Sequence, residues 1–226
     1  MKKLVSLFLA IALCAACVSA LAAGEVTVSQ KQFYTVVTDY SQYGYLFAKI
    51  ENTGDEPIML DYGKVVTFDA SDDIMDTSNY ISAYPRYLQP GEYAYLYDIS
   101  YGSLGDPIVA DYKFSIGTTD QERMVLRLDS ESAFDPGEAD SKYDDLMFAT
   151  FTNTTDGLLS NLYIVYALLD EEGNILYLNY DYLDDIALHP GSTITVARRV
   201  DSDIVDYLKQ NGITPATVDT LVYVEQ

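Results

Sequence analysis

The side chains here that could do chemistry are carboxylates and phenols. Asp and Glu number 35 against 13 Lys and Arg, there are 21 Tyr and no Trp, and His189 is the single histidine. The acids crowd most closely in Asp129, Glu131, Asp135, Glu138, Asp140, Asp144 and Asp145. Calcium wants roughly six to eight oxygens, which such a run could supply, but the spacing is not that of an EF-hand and a solvated acidic loop is the expectation. Among so many acids a carboxylate pair for glycan hydrolysis can always be drawn. Without Trp to line a sugar site, that reading ranks last. Gln89 occupies in one Pro-Gly turn the place of His189 in the other, so the turn does not need histidine. A histidine-based zinc site or a Ser-His hydrolase is not expected, nor is any cofactor.

The phenols are the more distinctive set. Tyr80, Tyr84, Tyr87, Tyr93, Tyr95, Tyr97 and Tyr101 fall close together. Tyrosine buries a large area at low entropic cost and keeps a polar tip. Tyr84, Tyr87, Tyr93, Tyr95 and Tyr97 are therefore the candidate binding face, with a protein, peptide or glycan as partner. Tyrosine also simply favours strands, and such a strip can pack on a neighbouring domain or on Arg86; on propensity alone that is the stronger account.

Compartment and charge narrow the partners. Lys2 and Lys3 precede an apolar run from Leu4 to Ala16, followed by Ala20-Leu21-Ala22. Charged start, short apolar middle and small-residue exit read as an export signal over residues 1–24, with no integral membrane segment in the mature chain. Cys14 and Cys17 both fall inside it, so the exported chain has no cysteine for disulfides, thiol catalysis or zinc. Lipid anchoring at Cys17 is the minority alternative. Loss of Lys2 and Lys3 takes the formal net charge from −22 to −24. That excludes nucleic acid and disfavours anionic membrane surfaces, because each phosphate contact needs a cation.

The elements that position these residues come in two copies. Leu46-Phe47-Ala48-Lys49-Ile50-Glu51-Asn52-Thr53-Gly54-Asp55 is echoed by Met147-Phe148-Ala149-Thr150-Phe151-Thr152-Asn153-Thr154-Thr155-Asp156. Ser29 then matches Ser130, Phe33 matches Phe134 and Asp39 matches Asp140 without a gap. A repeat of about a hundred residues is a domain rather than a solenoid unit, which gives domains at 25–119 and 120–226. Each copy alternates as a strand with Ile50 or Phe151 on its core face. Next comes a strand apolar on both faces, ending at Phe68-Asp69 or Leu169-Asp170 before an acidic hairpin turn. Phe68 is expected in the core, with Phe68→Ala costing about 3–5 kcal/mol. Leu88-Gln89-Pro90-Gly91 and Leu188-His189-Pro190-Gly191 predict type II turns. In the strands that follow, Ala94 and Leu96 face inward and Tyr93, Tyr95 and Tyr97 outward. Only the second copy inserts a short helix, from Ser202 as cap to Gly212 as stop, with Ile204 and Leu208 as its apolar stripe.

An alternating strand ending in Asn-Thr, a hydrophobic strand ending in Asp, then Leu-x-Pro-Gly, resembles the FxLYD-type Ig-like domains of exported bacterial proteins. The residues that carry the likeness are Asn52, Phe68, Asp69, Leu88, Pro90 and Gly91, with Asn153, Leu169, Asp170, Gly173, Leu188, Pro190 and Gly191. Copy one has Asp73 where copy two has its turn glycine. The expected fold is all-β, two tandem antiparallel Ig-like sandwiches, the second with a helix before its last strand. The resemblance implies a secreted or cell-surface binding module without catalysis. A purely structural envelope accessory with no small ligand is the alternative.

Overall fold

The structure, a computed structural model, describes residues 26–103, 105–119, 123–138 and 145–225. The expected export signal with Cys14 and Cys17, the expected start of a second domain at 120, and Asp140 and Asp144 lie outside the described residues. The described residues form an all-β, antiparallel fold with one short helix. Among the described residues no helix is long and apolar enough to cross a membrane.

In the first half the strands are β1 (Val26–Val37), β2 (Ser41–Asn52), β3 (Ile58–Leu60), β4 (Gly63–Phe68), β5 (Ile74–Ile81), β6 (Ala83–Tyr84), β7 (Tyr87–Leu88), β8 (Tyr93–Ser103), β9 (Asp111–Ser115) and β10 (Thr118–Thr119). They form a sheet β1-β2-β8-β6, a second sheet β5-β4-β9 and a small one, β10-β3-β7. In the second half are β11 (Val125–Leu128), β12 (Ser130–Asp135), β13 (Leu146–Thr152), β14 (Leu162–Leu169), β15 (Ile175–Leu183), β16 (Thr193–Arg199), helix α1 (Ser202–Gln210) and β17 (Thr217–Glu225). Their sheets are β12-β13-β16 and β11-β17-β14-β15.

The two copies share register as well as sequence. Ala48 pairs with Leu96 and Ile50 with Ala94; Ala149 pairs with Val196 and Phe151 with Ile194. The Asn that ends each strand is not merely a turn former. Asn52 and Asn153 are fully buried, and each Nδ2 donates to two carbonyls, Glu56 and Leu88 at 2.9 and 3.1 Å or Gly157 and Leu188 at 2.8 and 2.8 Å. Each also takes the amide of the Pro-Gly turn glycine, Gly91 or Gly191, on its own carbonyl. Those glycines have φ of +79° and +74°, and the amides of Glu92 and Ser192 bond Gln89 and His189, which is the expected type II turn. So one buried amide clamps strand, loop and turn together in both halves.

Three local expectations need correcting. The left-handed residue of the first hairpin turn is Asp72, at φ +65°, where the second has Gly173 at +82°; Asp73 instead donates its amide to Asp69 Oδ1, as Asn174 does to Asp170. Ser202 is the first helical residue and Asp201 the cap, without a side-chain cap bond. Phe68 is not in the core. Val65 and Thr67 are buried, whereas Phe68 is half-buried on the opposite face of β4 with Lys113 Nζ 4.8 Å above its ring. Leu169, its counterpart, is likewise half-buried. Strand β4 is apolar on both sides, so alternation could not decide which face turned inward.

That placement sets an expected order of stabilities. Phe68→Ala should cost only about 1–2 kcal/mol, as it removes a half-exposed ring, and Val65→Ala about 2–3 kcal/mol through burial and cavity terms. Chemical denaturation of the two variants checks the order; a larger loss for Phe68→Ala would put the ring back in the core.

Candidate binding surface

The tyrosine face belongs to the sheet β1-β2-β8-β6. Leu46, Ala48, Ile50, Ala94 and Leu96 point into the first core, which closes over Val65 and Ile81. The alternate residues point the other way, as period two requires. That outward face does not meet water. Tyr34, Tyr45, Phe47 and Tyr95 are buried with side chains of the second half in one continuous apolar cluster.

The contact is built ring on ring and hydroxyl on carboxylate. Tyr93 and Tyr95 both donate to Asp219 Oδ2 on β17, at 2.6 Å each. Arg127 Nη2 on β11 donates to the Tyr93 carbonyl at 2.7 Å, and its Nε lies 3.2 Å from Glu92. Tyr84 stacks on Tyr180 of β15 at 4.7 Å, and Tyr97 lies 6.1 Å from the same ring. Phe47 meets Tyr177 edge-on, Tyr34 stacks on Tyr207 of α1 at 4.7 Å, and the Tyr34 hydroxyl donates to the Leu176 carbonyl. The helix present only in the second copy thus has a structural use: Ile204, Val205 and Leu208 root it in its own core, and Tyr207 reaches the first half.

Of the five candidate residues, four are therefore committed to this contact. Tyr95 is buried, and Tyr84, Tyr93 and Tyr97 are half-buried against the second half. Tyr87 stands apart, half-buried on β7, and accepts a bond from Gln89 Nε2. The open phenols lie elsewhere. Tyr80 is 83% exposed and meets Tyr62 edge-on at 6.1 Å, with the Arg86 guanidinium 4.3 Å over Tyr62. At the far end of the tyrosine face, past the cover of the second half, Tyr101 and Ile99 are exposed and Tyr43 is half-buried beside Tyr101. Local sequence signals that a side chain leaves its own core, but not whether it enters another.

Two clefts flank α1. The one between β1 and α1, of about 630 Å3, is lined by Thr35, Val37, Asp39, Asp203, Asp206 and Tyr207 among others. The other, about 730 Å3, is more apolar and lies among Phe134, Val205, Leu208, Ile213 and Pro215. Of the acids considered for calcium, Glu131 and Asp135 lie on β12, where Glu131 pairs with Thr150 and Asp135 with Leu146. No cluster of three Asp, Glu, His or Cys placed to hold a metal occurs among the described residues. His189 is an exposed turn residue.

Burial gives the contact a pH signature. Removal from water raises the phenol pKa of Tyr34, Tyr45, Tyr84, Tyr93 and Tyr95, and pushes Tyr97 up to about 12, because the charged phenolate is poorly solvated there. A raised pKa means that the folded state holds the proton more tightly than the unfolded chain. The stabilisation is whole below pH ~10, the unfolded value, and is lost as pH climbs from there through the folded values. Phenolate absorbance should show Tyr34, Tyr45, Tyr84, Tyr93 and Tyr95 ionising only with unfolding. A single smooth titration of all 21 tyrosines with the fold intact would contradict the burial.

The sequence matches no protein-family model, and no curated protein matches it either, so function rests on the residues themselves.

Proposed function

We propose that the protein is a non-catalytic interaction module working outside the cytoplasm, made of two Ig-like sandwiches of FxLYD type held as one block. The observation that carries this reading is the Tyr93–Asp219–Tyr95 lock within the shared aromatic cluster. A chain that uses its densest aromatic face to fix the relation of its halves is built to present surfaces in a set geometry. Open aromatic rings suit recognition, since Tyr offers contact area at little entropic loss. The acidic surface, at −22 overall, favours partners that bring cations.

The purely structural reading draws on the same burial, because Tyr84, Tyr93, Tyr95 and Tyr97 are not available to a ligand. A glycan and peptide array probed with the exported chain separates the two. The interaction reading expects binding that weakens in Tyr62→Ser/Tyr80→Ser or in Tyr101→Ser. A blank array, with the chain nonetheless retained in an envelope assembly, selects the structural reading. Hydrolysis of any arrayed glycan would overturn both.

A further inference from the structure

Strand β1 is the edge of the sheet β1-β2-β8-β6. In an antiparallel pair every second residue of an edge strand turns its N–H and C=O away from its partner, so β1 presents a row of donors and acceptors outward. Alongside the last residues of that edge runs α1, and the cleft between them is the one lined by Thr35, Val37, Asp39, Asp203, Asp206 and Tyr207. Its size lies within the range of roughly 300–1,000 Å3 usual for ligand sites. No Lys or Arg lines it. Among its lining residues is an exposed apolar side chain, Val37 at 56%. Its wall is rigid, because Tyr207 is stacked on Tyr34, whose hydroxyl is tied to the Leu176 carbonyl.

We infer that this cleft takes an extended, basic segment of a partner protein, added as a further strand to the β1 edge. Backbone bonds to β1 hold such a segment, and alternate side chains decide its identity. Those facing α1 meet Asp203, those at the hairpin end meet Asp39, so lysine or arginine is selected there. Apolar residues of the segment lie over Val37. A second copy of this chain is a poor occupant, since it would bring net −22 against net −22. The assignment rests on the interaction reading above and gives it a place and a partner chemistry.

The test uses the exported chain and a fluorescein-labelled peptide, Val-Lys-Val-Arg-Val-Lys-Val. It should bind, and Asp39→Asn/Asp203→Asn should weaken it about ten-fold, whereas Asp184→Asn/Asp185→Asn, an equal charge change in an exposed loop, should leave it unaltered. The same peptide N-methylated at alternate residues keeps its charge but loses the strand-pairing donors, and should also bind about ten-fold more weakly. Equal affinity for the methylated peptide, or equal loss in the loop variant, overturns the site in favour of general charge attraction. No peptide binding overturns it too. If the array then yields a ligand indifferent to Asp39→Asn/Asp203→Asn, only the cleft has failed; if it yields none, the interaction reading has failed as well.

Discussion

Simultaneous Tyr93→Ser and Tyr95→Ser should cost about 5 kcal/mol or more and separate the unfolding of the two halves. Tyr95 is 2% exposed, and deleting a buried ring costs about 3–5 kcal/mol. Tyr93 is half-buried, but Lys49 lies 3.9 Å over its ring and its hydroxyl shares Asp219 with Tyr95, so it adds a smaller loss. Removing both phenols also leaves Asp219 without its two donors in a partly buried place, a penalty for the carboxylate itself. Domains of this size have only about 5–15 kcal/mol in hand. Calorimetry and urea unfolding should therefore show one transition in the parent chain and two, at lower temperature and lower urea, in the variant. Tyr95→Phe keeps the ring and loses only the bond, so about 1–2 kcal/mol is expected, with one transition retained. A double variant as stable as the parent would mean that the tyrosines face water, and would return them to candidacy as a ligand strip.

How far this was legible beforehand depends on the kind of question each residue posed. Strand faces with clean alternation were readable: Ile50 and Phe151, Ala94 and Leu96 are all in cores, because period two leaves no choice where one side is polar. Strand β4 offered no such contrast, and Phe68 went to the outer face while the smaller Val65 went in. The outward direction of Tyr93, Tyr95 and Tyr97 was legible, but their destination was not. Whether an outward face meets solvent or a second sheet depends on Asp219, Tyr180 and Tyr207, residues more than 80 positions away. The helix was readable from Ile204, Leu208 and Gly212, yet its cap was not, since Asp201 and Ser202 are adjacent and both are good capping types. The cleft beside β1 needs an edge strand and an inserted helix from opposite halves of the chain, a juxtaposition that no local pattern encodes.

The Asn at the end of each repeated strand does more than close it, and that role yields the other large effect. Asn153→Ala should cost about 3–5 kcal/mol, although it deletes only a small amide. The side chain has no exposed surface and serves four partners: the Gly157 and Leu188 carbonyls at 2.8 Å each, the Thr155 amide at 2.9 Å and the Thr155 hydroxyl at 2.7 Å. Alanine removes these bonds and offers nothing in return, and each buried group left unpaired costs about 1–3 kcal/mol. Water can reach the partners nearer the surface, which keeps the total below the simple sum. Asn153→Asp discriminates the cause: it preserves size but replaces the Nδ2 donor by an acceptor facing two carbonyls, so it should be at least as damaging as alanine. Asn52→Ala should behave alike, since its amide reaches Glu56, Leu88 and Gly54 in the same pattern. Urea unfolding of the three variants measures this, and a loss under about 1 kcal/mol in Asn153→Ala, the size of one ordinary exposed bond, would show that the corner is held by its Pro-Gly turn rather than by the amide that spans it.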